Sequence, residues 1–153
     1  MSISGNIKVG QERILAELKK LKRIDLSYTK LENLNFLKEL PHLEFILIGG
    51  SRIVDYSVLN ELNYLKGIRI ISNNVLEDFR FLEKMLRLER LYFIDCANVI
   101  EVPKLSHLSK LKTVCFMDCR NLKDWSEIEK LNKDEVKIFI SNKELIYKNT
   151  DDF

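Results

Sequence analysis

Three cysteines, two histidines and one glycine pair are the residues of this chain best suited to reaction chemistry. A nucleophilic thiol needs nearby positive charge or a helix N-terminus to lower its pKa, and a base to take its proton. His42 and His107 do not supply that base, and neither has a Cys or His partner at metal-ligand spacing. Both read as surface residues. No His-Glu-x-x-His, Gly-x-Ser-x-Gly or Gly-x-x-x-x-Gly-Lys motif occurs. Cys96 and Cys119 lie in similar segments, a relation that suits one repeated structural position better than a metal pair. Cys115 stands out of that phase, in a register that turns it toward the other face, beside Tyr92 and Lys137. Its plainest role is surface contact. Gly49-Gly50 follows an apolar run and reads as a turn needing positive φ, or as a dent that admits a partner to the backbone. The chain is expected to be no enzyme, with no cofactor and no metal.

The chemistry being sparse, the elements that carry these residues hold more information. A length of 153 residues allows one domain with a continuous core. Five Gly and two Pro leave no flexible linker between units. Twenty-five basic and 23 acidic residues give a net charge of +2 without long runs of either sign. That balance argues against grip on a nucleic acid or an anionic membrane by charge alone. The opening stretch, MSISGNIKVGQERILAELKK, has no unbroken apolar segment, so it reads as neither signal peptide nor membrane span. An odd number of cysteines in apolar segments is unlike a secreted disulfide framework. A cytoplasmic protein is expected, monomeric when free.

Internal repetition organises the chain. Units open LKRIDLSYTKL, LEFILIGGSRI, LKGIRIISNNVL, LERLYFIDCANV and LKTVCFMDCRNL at Leu21, Leu43, Leu65, Leu88 and Leu111. A degenerate sixth begins near Lys133 and keeps Val136, Ile138 and Leu145. Each matches apolar-x-x-apolar-x-apolar, as expected of a short strand whose first, fourth and sixth residues point inward. Stacked units would pair these strands in parallel and bury one apolar column after another. At the ninth position Thr29, Ser51, Asn73, Cys96, Cys119 and Ser141 are placed to satisfy backbone atoms of the turn. Asn33, Asp55, Asp78 and Asp124 stand before three-spaced apolar residues, as helix N-caps would, and Asp124 with Glu127 has capping-box spacing. Glu101-Val102-Pro103 breaks this pattern and predicts a shorter or later helix in the fourth unit. Ile14, Leu15 and Leu18 share one face of a predicted N-terminal capping helix over 11–20, since solenoid ends need covering. The division expected is a single domain over 1–153: a cap over 1–20, five repeats over 21–132, and a degenerate repeat with C-terminal cap over 133–153.

The run from Ile53 to Ile70, with its Ile-x-Asp turn, three-spaced leucines Leu59, Leu62 and Leu65, and Leu-x-x-Ile-x-Ile strand, resembles the internalin type of bacterial leucine-rich repeat. The resemblance covers roughly residues 18–145 and implies an α/β leucine-rich-repeat solenoid, with a curved parallel sheet on the concave face and short helices on the convex one. The Cys96 and Cys119 units are also similar to cysteine-containing repeats of cytoplasmic recognition proteins. Internalins are secreted and much longer, so their host-cell adhesion does not carry over.

Between the inward residues lies a grid of concave-face positions. The third-position column reads Arg23, Phe45, Gly67, Arg90, Thr113 and Glu135; the fifth, Asp25, Leu47, Arg69, Tyr92, Cys115 and Lys137; the seventh, Ser27, Gly49, Ile71, Ile94, Met117 and Phe139. An apolar strip with Tyr, Met and Arg fits an interface centre better than a free surface. The candidate partner-binding set is Phe45, Leu47, Arg69, Ile71, Arg90, Tyr92, Ile94, Asp95, Met117 and Phe139. The competing reading is that these side chains cover one another across coils. Mixed charge favours a protein partner over nucleic acid. The expected function is non-enzymatic protein binding by a stoichiometric inhibitor, such as a bacterial immunity protein against a toxin or enzyme. The alternatives are an adaptor, regulatory subunit or effector scaffold that binds without inhibiting, or an enzyme using Cys115.

Overall fold

Alternating apolar residues build a strand in every unit, and the strands pair in chain order. The computed structural model describes residues 1–3, 10–131 and 134–140. Seven parallel strands form one sheet in the order β1 to β7: Ser2–Ile3, Arg23–Asp25, Phe45–Gly49, Gly67–Ile71, Arg90–Ile94, Thr113–Met117 and Lys137–Ile140. The opening leucines Leu21, Leu43, Leu65, Leu88 and Leu111 are buried, as are the fourth- and sixth-position residues from Ile24 and Leu26 to Val114 and Phe116. The core changes character along the stack. Early coils contribute Ile and Leu, whereas Phe93 and Phe116 stack at 5.3 Å between ring centroids. Phe79 meets Phe93 edge-on at 5.4 Å, and Trp125 meets Phe116 edge-on at 6.5 Å.

The coils of β2 to β6 leave their strands through the same backbone conformation. Tyr28, Gly50, Ser72, Asp95 and Asp118 all have φ between 50° and 59°. The N–H groups of the first four donate to the carbonyls of Gly49, Ile71, Ile94 and Met117 in the next coil, at 2.7–2.9 Å. The turn expected at Gly50 is present, and the ladder of hydrogen bonds holds three residues with side chains, Tyr28, Ser72 and Asp95, in the same left-handed region. At Gly50 an added Cβ would stand 3.0 Å from Cδ1 of the Tyr28 ring. Gly50→Ala should therefore cost about 1–2 kcal/mol of unfolding free energy, the usual penalty for a side chain at such a φ. Urea denaturation checks it; an unchanged midpoint would mean the exposed Tyr28 ring moves aside and the backbone strain is nil.

One residue further on, the ninth-position side chains close the turn. Thr29 Oγ1 donates to the Leu26 carbonyl at 2.9 Å. Asn73 is fully buried and donates to the Ile53 carbonyl at 3.1 Å and the Tyr56 hydroxyl at 2.7 Å. Its Oδ1 accepts the N–H groups of Val75 and Leu76, both at 2.9 Å. Cys96 and Cys119 take the same place as buried free thiols, donating to the Ile70 and Phe93 carbonyls of the preceding coils at 3.7 and 3.6 Å.

The back of the sheet differs in detail from the sequence expectation. Its helical segments are single turns: 3-10 turns over Asn35–Glu39, Ser57–Glu61 and Arg80–Leu82, and the α2 turn Ser126–Glu129. Asn33, Asp55, Asp78 and Asp124 each accept the N–H two residues on, at 2.8–3.0 Å. They are thus Asx turns one residue ahead of the true N-caps, Leu34, Tyr56, Phe79 and Trp125. The capping box is not formed, because Glu127 reaches the Leu105 N–H of the previous coil at 3.3 Å instead. The fourth unit runs without a helix from Glu101 to Leu111, and Glu101 bridges to Asp124.

In place of the capping helix expected over 11–20 there is a single helical turn, α1 (Glu12–Ala16). Leu15 is buried and Leu18 packs partly on the core, but Ile14 is exposed. The edge of the sheet is taken by β1, which pairs with β2 and which the periodicity did not announce. The expected closing segment, with Ser141 and Leu145, lies outside the described residues. Among the described residues no helix is long and apolar enough to cross a membrane.

Candidate functional site

Strand register decides which side chains share the open face of the sheet. Phe45 pairs with Gly67 and Gly67 with Arg90; Leu47, Arg69, Tyr92 and Cys115 follow one another; Ile71, Ile94 and Met117 do likewise. The grid is as expected through β6. At β7 it shifts by two residues: Thr113 pairs with Lys137, not Glu135, and Cys115 with Phe139, not Lys137. The last connection is longer than the degenerate repeat suggested, so Phe139 joins the central column instead of extending the Met117 one.

The ten candidate residues are half-buried rather than exposed. The large apolar side chains that are most open, such as Tyr28, Leu86 and Ile100, stand outside this set. Mutual cover across coils therefore accounts for part of the apolar strip. It leaves a shallow, continuous surface of Leu47, Ile71, Tyr92, Ile94, Met117 and Phe139 running from β3 to β7.

Arginines are laid over this surface by its aromatic rings. The Arg23 guanidinium lies 4.5 Å from the Phe45 ring centroid, and that of Arg90 lies 5.6 Å from the same ring. Arg90 starts two strands away from Phe45, about 9–10 Å across a sheet, and Gly67 on the strand between offers no side chain to block it. Arg69 sits over Tyr92 at 6.0 Å, with its Nε buried and without a hydrogen-bond partner. Arg23 was in the sequence grid but not in the candidate set; the glycine opposite both Phe45 and Arg90 is the signal that links them.

The charges are also sorted along the strands. Ahead of them runs a column of alternating sign, in which Glu44 pairs with Lys22 at 2.9 Å and Lys66 at 3.0 Å, and Glu89 with Lys112 at 2.8 Å. The two lysines hold the Glu44 carboxyl below its ordinary value, and Lys112 does so for Glu89. Beyond the strands stand Asp95 and Asp118, with Asp95 accepting from the Ser72 hydroxyl at 2.9 Å.

Cys115 does not present the open thiol that its register suggested. It is 1% exposed between Tyr92 and Phe139, and burial pushes its pKa to about 12 against the opposing pull of Arg69. Contact with Cys96 and burial likewise raise Cys119. Burial also pushes the Tyr56 hydroxyl to about 12. A raised pKa in an acid that is neutral when protonated stabilises the fold below the unfolded value and loses that stabilisation as pH rises to the folded one. Stability should accordingly fall between pH 9 and about 12 as the unfolded chain releases protons that Cys115 and Tyr56 retain. Chemical denaturation across that range tests the sign; a flat profile would refute it. His42 is exposed and lies tilted against Tyr64 at 5.8 Å between ring centroids, whereas His107 is half-buried, with Nε2 3.1 Å from the Leu82 carbonyl, so it is not the surface residue expected. Among the described residues no three His, Cys, Asp or Glu side chains are grouped to hold a metal.

No protein-family model and no curated protein sequence matches the chain. Solved structures do. Internalin C2 from Listeria monocytogenes superposes with a TM-score of 0.59 at 25% identity, over 67% of this chain and 44% of that one. Internalin F from the same organism gives a TM-score of 0.59 at 18% identity, over 84% of this chain and 44% of that one. The resemblance to internalin-type leucine-rich repeats holds. The chain matches less than half the length of either internalin. What the internalin-like fold supplies is the parallel sheet and the repeat.

Proposed function

We propose that this chain is a protein-binding module that captures its partner on the open face of the sheet and acts by occlusion. The observation that carries this reading is the continuous half-buried surface from β3 to β7, apolar in its centre and bordered by charge of both signs. Such a composition matches the core and rim of protein interfaces. The internalin-like repeat supports a binding module in general, since solenoids present extended surfaces of this kind. The finer reading is a cytoplasmic stoichiometric inhibitor, of which a bacterial toxin-neutralising immunity protein is the natural form. It rests on the apolar, mixed-charge sheet face and on the burial of Cys115, which withdraws that thiol from use as an accessible nucleophile.

Affinity capture from the native cell, followed by an activity assay on the captured partner, tests both levels. Loss of the partner's activity at one-to-one stoichiometry supports inhibition. Undiminished activity replaces the inhibitor with an adaptor, and capture through any other surface removes the sheet-face reading altogether.

A further inference from the structure

We propose that the back of the sheet carries a second docking site, a groove that takes a short extended segment of a partner protein with opposite charges at its two ends. The site stands apart from the sheet face and can be filled while that face is covered. Two clefts of about 510 and 240 Å³ lie along the turns Ser57–Glu61 and Arg80–Leu82. Both are lined by Asn60 and Lys84, so they join into one groove. A five-residue 3-10 turn rises about 10 Å, a length that three extended residues span at about 3.3 Å each. Asn60 is the decisive residue. Lys38, Glu83 and Glu129 hold the same place in the other turns and are exposed, whereas Asn60 is half-buried. Its Oδ1 is shut from water without a hydrogen-bond partner, and its amide makes no hydrogen bond elsewhere among the described residues. An amide left unpaired in this way costs the fold stability instead of adding to it. A peptide bond offers one donor and one acceptor, and rotation about the soft χ2 of asparagine brings either end of the amide to meet it.

Charge along the groove selects the segment. Asp55 and Glu83 line the larger cleft, where Arg80 is already held by Asp78 at 2.6 Å. Arg87 lines the smaller cleft, its guanidinium 5.5 Å from the centroid of the exposed Tyr64 ring. Lys84 stands between the two, exposed and without an ion pair among the described residues. Exposed apolar side chains, Val54 in the larger cleft and Leu86 in the smaller, border this polar middle. A segment with a cationic residue at the Asp55 end and a carboxylate at the Arg87 end is complementary along its length. A strand of one sign throughout, such as a nucleic-acid backbone, meets its own charge at one end.

The test titrates two tetrapeptides, acetyl-Arg-Leu-Ala-Asp-amide and, for the opposite chain direction, acetyl-Asp-Ala-Leu-Arg-amide, into the folded, nitrogen-15-labelled protein. One of them should bind with a Kd on the order of 1 mM, shifting the Asn60 side-chain amide and the backbone amides of 57–63 and 83–87 in the nuclear magnetic resonance spectrum. The charge-free acetyl-Gln-Leu-Ala-Asn-amide should bind at least about tenfold more weakly, and Lys84→Gln with Arg87→Gln should weaken the charged peptide about tenfold. The pair Lys104→Gln and Lys110→Gln, outside the groove, should stay within about twofold. Asn60→Ala should also weaken the peptide about tenfold, with a melting temperature unchanged or raised because no hydrogen bond of the fold is lost. A lowered melting temperature would assign that amide to the fold and overturn its role in binding. Combining Tyr92→Asp with Ile94→Asp should leave the peptide's affinity unchanged in a variant that circular dichroism shows to be folded, since those side chains stand on the other side of the sheet. Loss of binding there places the peptide on the sheet face and overturns the back groove. Equal binding of the charge-free peptide, or no shift of Asn60 with either charged peptide at about 10 mM, overturns it too and leaves the sheet-face reading untouched.

Discussion

Replacing Asn73 with Ala should cost about 3–5 kcal/mol of unfolding free energy, the largest loss expected from a single polar side chain here. The residue is fully buried and makes four hydrogen bonds, two as donor and two as acceptor. Alanine leaves the Ile53 carbonyl, the Tyr56 hydroxyl and the N–H groups of Val75 and Leu76 without these partners. An unsatisfied buried polar group costs about 1–3 kcal/mol, and partial access of water to the turn keeps the total below the simple sum. Asn98 is the internal control. Its amide bonds the Glu77 carboxylate at 3.0 Å on the surface, and Asn98→Ala should cost no more than about 0.5 kcal/mol. Urea titrations of the two variants make the comparison. Equal losses would mean that burial at the ninth position contributes nothing beyond an ordinary surface contact.

Combining Tyr92→Asp with Ile94→Asp should abolish partner capture, with affinity falling about 1,000-fold or more. Both side chains lie near the centre of the sheet face, on the middle one of the five strands that span it. Two carboxylates introduced there must be desolvated by any partner that covers them. Half-burial makes some loss of stability unavoidable, so the melting temperature must be read beside the binding constant. The pair Tyr92→Phe and Ile94→Val preserves shape and should bind within about threefold of the unaltered protein. Capture by a folded double-aspartate variant at unaltered affinity would place the partner elsewhere.

How much was legible beforehand follows from what each feature depends on. The strand positions are set by a period of inward apolar residues, so Leu21 to Phe116 could be placed from their spacing alone. The same period extended to β7 misplaced Phe139 and Lys137, because register there depends on the length of an irregular connection and not on hydrophobicity. The Asx residues were recognised but read as N-caps, which placed the caps one position early, since a side-chain oxygen two residues from its donor looks the same in sequence as an N-cap. β1 is two residues long, too short for any periodic signal. Arg90 reaching over Gly67 to Phe45 required three strands in register at once, and Cys115 was assigned to the correct face but its cover by neighbours was invisible without them. Local pattern predicted the scaffold; the site came from contacts between coils.

The edge-on contact of Trp125 with Phe116 gives the protein an optical reporter confined to one end. Trp125 is the only tryptophan, and it is packed against the aromatic coils rather than the aliphatic ones. In a stack whose coils touch only their neighbours, the two ends need not melt together. Tryptophan emission therefore follows the C-terminal coils, while far-ultraviolet dichroism averages over the whole sheet. Superimposable curves from the two signals would establish that the coils unfold as one cooperative unit, and displaced curves would show which end lets go first.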